Sequence, residues 1–297
     1  MKPHTPPLAG MLLLLGSRGA LAHGDALDVP PAWSFDPYVI ALLLASLTLY
    51  ASGAFRLWRR AGIGRGIHPR QVLCYGAGWL LLAGALLSPL HSLGERLFSA
   101  HMVEHEIIMA CAAPLLAMSR PVGAFFWAFP RDLRQFFARA GHSPVIARPW
   151  RAITTPLAAT ILHGLAIWLW HAPVAFEAAV TNESLHRLQH VSFLTSALIF
   201  WWALLRRAEH GAAVLHLFAT MIHMTLLGAL FTFAGRVLYL QQSRLAEDWG
   251  FTPLEDQQLA GLVMWVPAGT VYAGAALAFA ALWIRQSSRK ARYVVAS

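Results

Sequence analysis

The stretch HMVEHEIIM, residues 101–109, places two histidines and two glutamates within six positions of a strongly apolar chain. On a helix, His101 and His105 are four residues apart, so their imidazole rings share one face. Two imidazoles one turn apart are a common beginning of a metal site. The zinc-protease motif H-E-x-x-H is not completed, because Met109 stands where that motif needs its second histidine. The stretch therefore predicts a metal-binding helix end without protease chemistry.

The apolar residues on either side of this stretch predict an all-α membrane protein. The chain has 297 residues, of which 57% are hydrophobic and 12% charged, and its mean hydropathy is +0.52. Several apolar runs reach about 20 residues, the length of a helix that crosses a bilayer. We predict a polytopic bundle of seven transmembrane helices and exclude a soluble domain. The predicted spans are 37–57, 71–90, 101–118, 153–172, 187–205, 211–235 and 257–284.

The first residues have the pattern of a secretory signal peptide. Lys2 gives a positive start, residues 8–15 are apolar, and the Ala-Leu-Ala sequence at 20–22 is typical of a cleavage site. The apolar region is too short for a comfortable membrane span. We expect residues 1–22 to be a signal peptide and residues 23–297 to form a single seven-helix domain.

The net charge of +9 is concentrated on one side of the predicted bundle. By the positive-inside rule, that side faces the cytoplasm, which puts the mature N-terminus outside and the C-terminus inside. The positive charge is then an orientation signal, so we expect the bilayer as a partner and no nucleic acid. The basic connections are 56–70, 119–151, 206–207 and 285–292, whereas the opposite side carries Arg96, Arg187, Arg236 and Arg244.

With this orientation, several histidines lie at one depth on the outer side of the bundle. Four of them form two H-x-x-x-H pairs, each on its own helix, and a fifth closes span four. Imidazole suits Cu(II) and Zn(II), among other ions. A pH-sensitive hydrogen-bond cluster is the alternative interpretation. The candidate metal ligands are His101, His105, His171, His186 and His190.

Carboxylates near these histidines are candidate partners. Asp256 sits at the mouth of span seven, where a charge is costly unless it has a function. We expect Asp256 to orient a ligating histidine or to act as a further metal ligand. Glu104 and Glu183 are interpreted as solvated carboxylates at helix ends.

A second group of histidines lies deeper in the predicted membrane. His216 and His223 share one face of span six, with Met221 and Met224 beside His223. Thioethers suit Cu(I), which would make this interior a route for copper, but methionines more commonly fill gaps between helices. His163 and His223 could alternatively face each other as a bis-histidine haem pair.

The chain resembles the seven-span cytochrome c oxidase assembly factors of the CtaG family, which are associated with caa3-type oxidases. The resemblance covers nearly all of the chain after the predicted signal peptide, and its specificity comes from several motifs in one order. These are WSFDPYV (33–39), LLSPLHSLGERLFSAHMVEH (86–105), APLLAMSRP (113–121), WLWHAP (168–173), ESLHRLQHVSF (183–193), FWW (200–202) and DQQLAGLVMWVP (256–267).

This resemblance implies a bacterial inner-membrane protein needed to mature haem–copper oxidase through copper delivery. Its implied partners are cytochrome c oxidase subunits or another copper chaperone, and its implied cargo is a copper ion. The positions that match the family's polar pattern are His101, His105, His171, His186, His190, Asp256 and Gln257.

Three rival functions follow from the same residues. A membrane metalloenzyme is disfavoured, because di-iron desaturases use H-x-x-H-H boxes on the cytoplasmic side and this chain has no adjacent pair of histidines. A copper transporter would differ from a chaperone only in moving copper across the membrane. A haem-b-binding protein would use facing histidines deeper in the bundle. We expect no enzyme activity and a copper ion, with zinc or haem as the alternatives.

Overall fold

The computed structural model describes residues 30–296, with side chains as far as residue 289. Within this part the chain is helical and contains no strand, which confirms the all-α prediction. The predicted signal peptide, residues 1–22, lies outside the described residues and stays a prediction.

The helices follow one another with short connections. A π-helical segment, Ile107–Ala112, separates α4 from α5, and a 3-10 turn, Ala246–Trp249, follows α13. The α-helices are α1 (Pro37–Ala61), α2 (Pro69–Leu87), α3 (Pro89–Gly94), α4 (Phe98–Glu106), α5 (Ala113–Met118), α6 (Pro121–Ala128), α7 (Arg131–His142), α8 (Pro144–Ile153), α9 (Pro156–Trp170), α10 (Pro173–Thr181), α11 (Glu183–Arg206), α12 (His210–Thr232), α13 (Leu240–Ser243) and α14 (Pro253–Ala296).

Five of these helices are long and apolar enough to cross a membrane alone, namely α1, α2, α11, α12 and α14. The other two predicted spans are not single straight helices. The α4–α5 segment bends by 60° into α6, and α8 bends by 73° into α9. The described residues therefore provide five spans, or up to seven if each bent pair counts as one. The prediction of seven spans agrees with the structure only if each bent pair counts as one span. The orientation of the bundle stays a prediction from charge.

Prolines explain where the bent segments break. Pro121 and Pro156 begin α6 and α9, positions where the missing N–H of proline leaves no helical bond unmade. Before α6, Arg120 takes a left-handed conformation with φ 55°, which turns the chain between the two helices. At 15 residues, α9 is about 22 Å long, less than the ~30 Å of a hydrocarbon core.

Small residues let the membrane helices approach closely. α12 packs most extensively on α14, where a side chain at Gly261 would place its Cβ 2.5 Å from the Gly228 carbonyl oxygen. A Cβ at Gly53 of α1 would come 1.8 Å from the Ala124 oxygen of α6. Close contact through small residues is the usual way that helices associate without a hydrophobic driving force.

The π-helical segment follows directly after the helix that carries His101 and His105. Pro114 lacks the N–H that would bond to the carbonyl of Ala110, so a regular helix cannot continue unbroken here. The widened turn is supported from α11, because the Trp201 indole donates to the Met109 carbonyl at 3.0 Å. π-helical turns commonly occur at functional sites, and this one adjoins the candidate site.

Candidate metal centre

Six histidines from four parts of the fold converge at one end of the bundle. His101 and His105 lie on α4 with ring centroids 4.2 Å apart. His186 and His190 lie on α11 with centroids 4.5 Å apart. The two pairs face each other, at 5.4 Å between His101 and His186 and 5.3 Å between His105 and His190. We call the set the histidine cluster: His91, His101, His105, His171, His186 and His190.

The remaining two members lie at the edges of these pairs. His171 follows the end of α9, and its ring is 6.1 Å from that of His105. His91 of α3 is 5.6 Å from the ring of His186. The structure therefore brings all five predicted histidines together and adds a sixth, His91, which the sequence prediction missed. The sequence did contain a signal for His91, which was its position. His91 lies between predicted spans two and three, on the same predicted side of the membrane as His101.

Glu104 contributes a carboxylate to the cluster. Its side chain is 0% exposed, so its interpretation as a solvated helix-end carboxylate is wrong. Its Oε1 accepts a hydrogen bond from Nδ1 of His91 at 2.9 Å and lies 3.7 Å from Nε2 of His190. Burial alone would lower the pKa of His91, but the bond to Glu104 and the charges of Glu104, Glu95 and Asp36 together outweigh it, so that pKa is raised. Glu104 therefore adds a carboxyl group to the imidazoles, with His91 and His190 as its neighbours.

Several ring nitrogens of the cluster are buried without a hydrogen-bond partner. Among the described residues, this holds for both nitrogens of His101 and His105 and for Nε2 of His171, His186 and His190. A buried polar atom without a partner costs about 1–3 kcal/mol. A concentration of partnerless ring nitrogens in one place is the pattern expected of metal ligands without a bound ion. The nitrogen and carboxylate donors also fit Cu(II) or Zn(II) chemically.

His171 shows how a ring nitrogen is directed towards the site. Its Nδ1 lies 2.7 Å from the carbonyl oxygen of Ile167. Since a carbonyl can only accept, Nδ1 carries the proton, and the lone pair is left on Nε2. Hydrogen bonding of the other ring nitrogen is the common way to fix a ligating histidine.

Aromatic rings surround the cluster and keep its surroundings apolar. Phe176 of α10 lies 5.3 Å from the ring of His101, and Phe193 of α11 lies 4.7 Å from that of His105. Both phenylalanines are fully buried. Electrostatic interactions with a bound cation are stronger in such an environment than in water.

The cluster is not yet arranged around a single point. Across the described residues, no three His, Cys, Asp or Glu side chains are grouped as a bound ion would require. A tetrahedral ion with bonds of about 2.0–2.1 Å needs its ligand nitrogens ~3.3 Å apart. Ring rotations about the side-chain bonds would therefore have to precede or accompany binding.

The described contacts of Asp256 differ from the expected contact with a ligating histidine or a metal. Its carboxylate accepts hydrogen bonds from the backbone N–H of Phe98 at 2.7 Å and of Ser99 at 3.1 Å, and from the Ser99 hydroxyl at 2.6 Å. These bonds satisfy the first N–H groups of α4. Its described bonds thus hold the helix that carries His101 and His105, and they include none to an imidazole.

Gln257, the next residue, holds a loop beside the site. Its side chain accepts from the N–H of Leu238 at 2.6 Å and donates to the carbonyl of Arg236 at 3.1 Å. Tyr239 in the same loop donates a hydrogen bond to the carbonyl of His171. The start of α14 therefore positions two separate parts of the cluster.

The deeper histidines do not join this cluster. His163 uses both ring nitrogens, one with the Ser196 hydroxyl at 3.1 Å and one with the Tyr272 hydroxyl at 3.4 Å. His216 lies 3.0 Å from the Thr160 hydroxyl. His223 alone of the three has two partnerless nitrogens. A haem between His163 and His223 would require the bonds of His163 to break.

Fold and site together define a helical membrane protein with a buried, imidazole-rich centre at one end of its bundle. Comparison with known families agrees with this class. The family described as cytochrome c oxidase caa3 assembly factor (Caa3_CtaG) matches residues 48–286. The chain therefore belongs to this family.

More distant relatives occur in mycobacteria. The chain is 25% identical over 283 residues to uncharacterized proteins of Mycobacterium bovis and Mycobacterium tuberculosis, covering 87% of this chain and 40% of each relative. An uncharacterized protein of Mycobacterium leprae is 24% identical over 277 residues, with the same two shares. The chain thus spans less than half the length of these relatives. No solved structure matches it.

Proposed function

We propose that this protein is an assembly factor for haem–copper cytochrome c oxidase that binds copper in the histidine cluster and delivers it. Membership of the caa3 assembly factor family supports the assembly role. In this proposal the chain lies in a bacterial inner membrane, has no enzyme activity, and passes copper to an oxidase subunit or to another copper chaperone. Copper is then the cargo of the protein.

The observation that carries the metal part of the proposal is the set of buried, partnerless ring nitrogens in the histidine cluster, beside which Glu104 bonds to His91. A purely structural group of histidines would be expected to hydrogen-bond its nitrogens, as His163 does. A carboxyl group beside imidazoles adds an oxygen donor that suits a cation at this place.

The same geometry supports release as well as binding. His101 and His105 would hold the ion from one helix, and His186 and His190 from the other. Because the donors are not yet grouped around one point, part of the binding energy would be spent on ring rotation. The affinity is then lower than that of a closed structural site, as a protein that hands its metal on requires. In this proposal, the role of Asp256 is to position α4, the helix that carries His101 and His105.

Elemental analysis of the purified, detergent-solubilised protein tests the metal site. Wild type loaded with copper and then desalted is expected to keep about one equivalent, which His101→Ala/His105→Ala loses. The matched control is His216→Ala/His223→Ala, which also removes two histidines from one helix and should keep the copper. Copper that persists in the first variant would disprove the site.

Three further readouts separate the proposal from its alternatives. Competition between copper and zinc identifies the preferred ion, and preference for zinc would contradict copper delivery. A Soret band in the purified protein would favour haem binding instead. Copper uptake into proteoliposomes would favour a transporter.

The assembly role has its own test. Cells without the protein should contain oxidase that lacks copper, and a fully metallated oxidase in those cells would refute the assembly role.

A further inference from the structure

A pocket lined by arginines lies where α1 ends and α6 turns into α7. Its volume is about 370 Å³, within the range of roughly 300–1,000 Å³ that is usual for small-molecule sites. We call it the arginine pocket, and its charged and aromatic lining comprises Arg56, Arg59, Arg60, Trp127, Phe129, Arg131 and Arg134.

The arginine pocket carries five guanidinium groups. Among the described residues, none of its five arginines forms an ion pair with a carboxylate. Arg56 donates to the carbonyl of Ala128 at 2.6 Å. Arg134 and Arg60 lie 4.2 and 6.0 Å from the Trp127 ring. Guanidinium groups held on an aromatic ring keep donors free for a phosphate, which they bind in a bidentate manner.

The surroundings of the pocket are those of a membrane interface. Arg59 and Arg60 occupy the last turn of α1, which is long and apolar enough to span a membrane. α7 is amphipathic and buries none of its residues, so Leu133 and Phe136 are exposed. Such a helix, with apolar and basic faces, suits a position in the headgroup region of a bilayer.

We propose that the arginine pocket binds the phosphate of an anionic phospholipid headgroup, such as that of phosphatidylglycerol. Basic pockets beside transmembrane helices are a recognised form of lipid-headgroup site. The exposed apolar residues of α7 favour a lipid over free phosphate, because they give its acyl chains a surface to lie on. A bound lipid would tie α7 to α1 at the membrane surface. This inference is independent of copper binding.

Native mass spectrometry of the full-length protein tests the proposal. The protein is offered equal amounts of phosphatidylglycerol and phosphatidylcholine with the same acyl chains, and wild type is expected to retain phosphatidylglycerol. In Arg59→Gln/Arg131→Gln that preference should fall about 25-fold, since each arginine near an anionic lipid is worth about a fivefold change in affinity. Neither of these two side chains has a described hydrogen bond or ion pair to the protein, so folding should be preserved.

The control variant is Arg139→Gln/Arg148→Gln, which removes the same charge outside the pocket and should change the preference by less than about twofold. Equal losses in the two variants would show a nonspecific charge effect and overturn the proposal. Retention of phosphatidylglycerol unchanged by Arg59→Gln/Arg131→Gln would also overturn it. Displacement of the lipid by equimolar inorganic phosphate would show a free-phosphate site instead.

Discussion

The histidine cluster and the inner histidines (His163, His216 and His223) contain the same side chain in two different situations. His163 has a hydroxyl partner on each ring nitrogen, and its ring stacks on Phe200 with centroids 5.2 Å apart. In the cluster, His105 has no partner on either nitrogen, although it is buried to a similar extent. Because His223, an inner histidine, also has two partnerless nitrogens, the comparison teaches that the convergence of such side chains distinguishes a candidate site, whereas the number of histidines does not.

A second difference between the two regions is the presence of a carboxylate. Glu104 lies inside the cluster, bonded to His91 and close to His190. The described bonds of the inner histidines are to serine, tyrosine and threonine hydroxyls. Hydroxyl partners satisfy neutral imidazoles and add no charge, whereas a buried carboxylate favours a cation. The cluster is therefore the better candidate for a metal ion.

The largest effect is expected from removing a histidine of the cluster, with the removal of an inner histidine as the control. His190→Ala should weaken copper binding by more than about 100-fold, exceeding the 10–100-fold usual for residues that only orient a ligand. Its ring lies between those of His186 and His105, at 4.5 and 5.3 Å. His163→Ala should leave the affinity within about twofold of wild type. Copper titration against a competing chelator measures both, and equal losses would remove the distinction between the regions.

A smaller effect is expected from Glu104→Gln, which keeps the shape and removes the charge. Copper affinity should fall by about 10–100-fold, because the anchor of His91 and the negative charge of the site are both weakened. Glu106→Gln is the matched control, since that residue is also buried but lies two positions on, away from the cluster face. Copper titration against a competing chelator measures the affinity of both variants. A greater loss of copper affinity in Glu106→Gln than in Glu104→Gln would show that Glu104 is not the carboxyl group on which binding depends.

The smallest effect on copper is expected from Asp256→Asn, which acts through the backbone of α4. An amide cannot accept from all three donors of Phe98 and Ser99, so stability should fall by roughly 1–3 kcal/mol, which lowers the melting temperature by about 5 °C. Copper affinity should fall less than about tenfold, because no cluster member is removed. Glu255→Gln is the control, since the described bonds of Glu255 are to Thr252 alone.

Thermal unfolding in detergent and the copper titration give the two readouts for Asp256→Asn. A loss of copper as large as that of His190→Ala, without a change in melting temperature, would make Asp256 a ligand. That outcome would restore the expectation of direct coordination and contradict the positioning role that the hydrogen bonds indicate.

Much of the candidate site could be predicted from local pattern. The i, i+4 spacing of His101 with His105, and of His186 with His190, placed each pair on one helix face. Charge asymmetry between the connections then put both pairs at the same predicted depth, and the structure brings them together. Asp256 was recognised as important because of its place at a helix start, but its bonding partners, Phe98 and Ser99, are distant in the chain.

The remaining parts required contacts that no local pattern encodes. His91 has no histidine at helical spacing, and it reaches the cluster only because α3 packs against α4. Glu104 looks like a solvated residue at a helix end, yet the packing of α3 and α11 buries it completely. Burial depends on which elements cover a side chain, and those elements come from separate parts of the sequence.

By itself the sequence determined that this protein is helical, that it lies in a membrane, and which helix faces carry histidine pairs. Hydrophobic length and helical periodicity are local properties, so residues near one another suffice to specify them. Only the tertiary structure decided that two of the predicted spans are bent, that Asp256 holds α4, and that six imidazoles converge with the carboxyl group of Glu104 beside two of them. Those features depend on close packing between helices far apart in the chain, where small residues and buried hydrogen bonds select one arrangement.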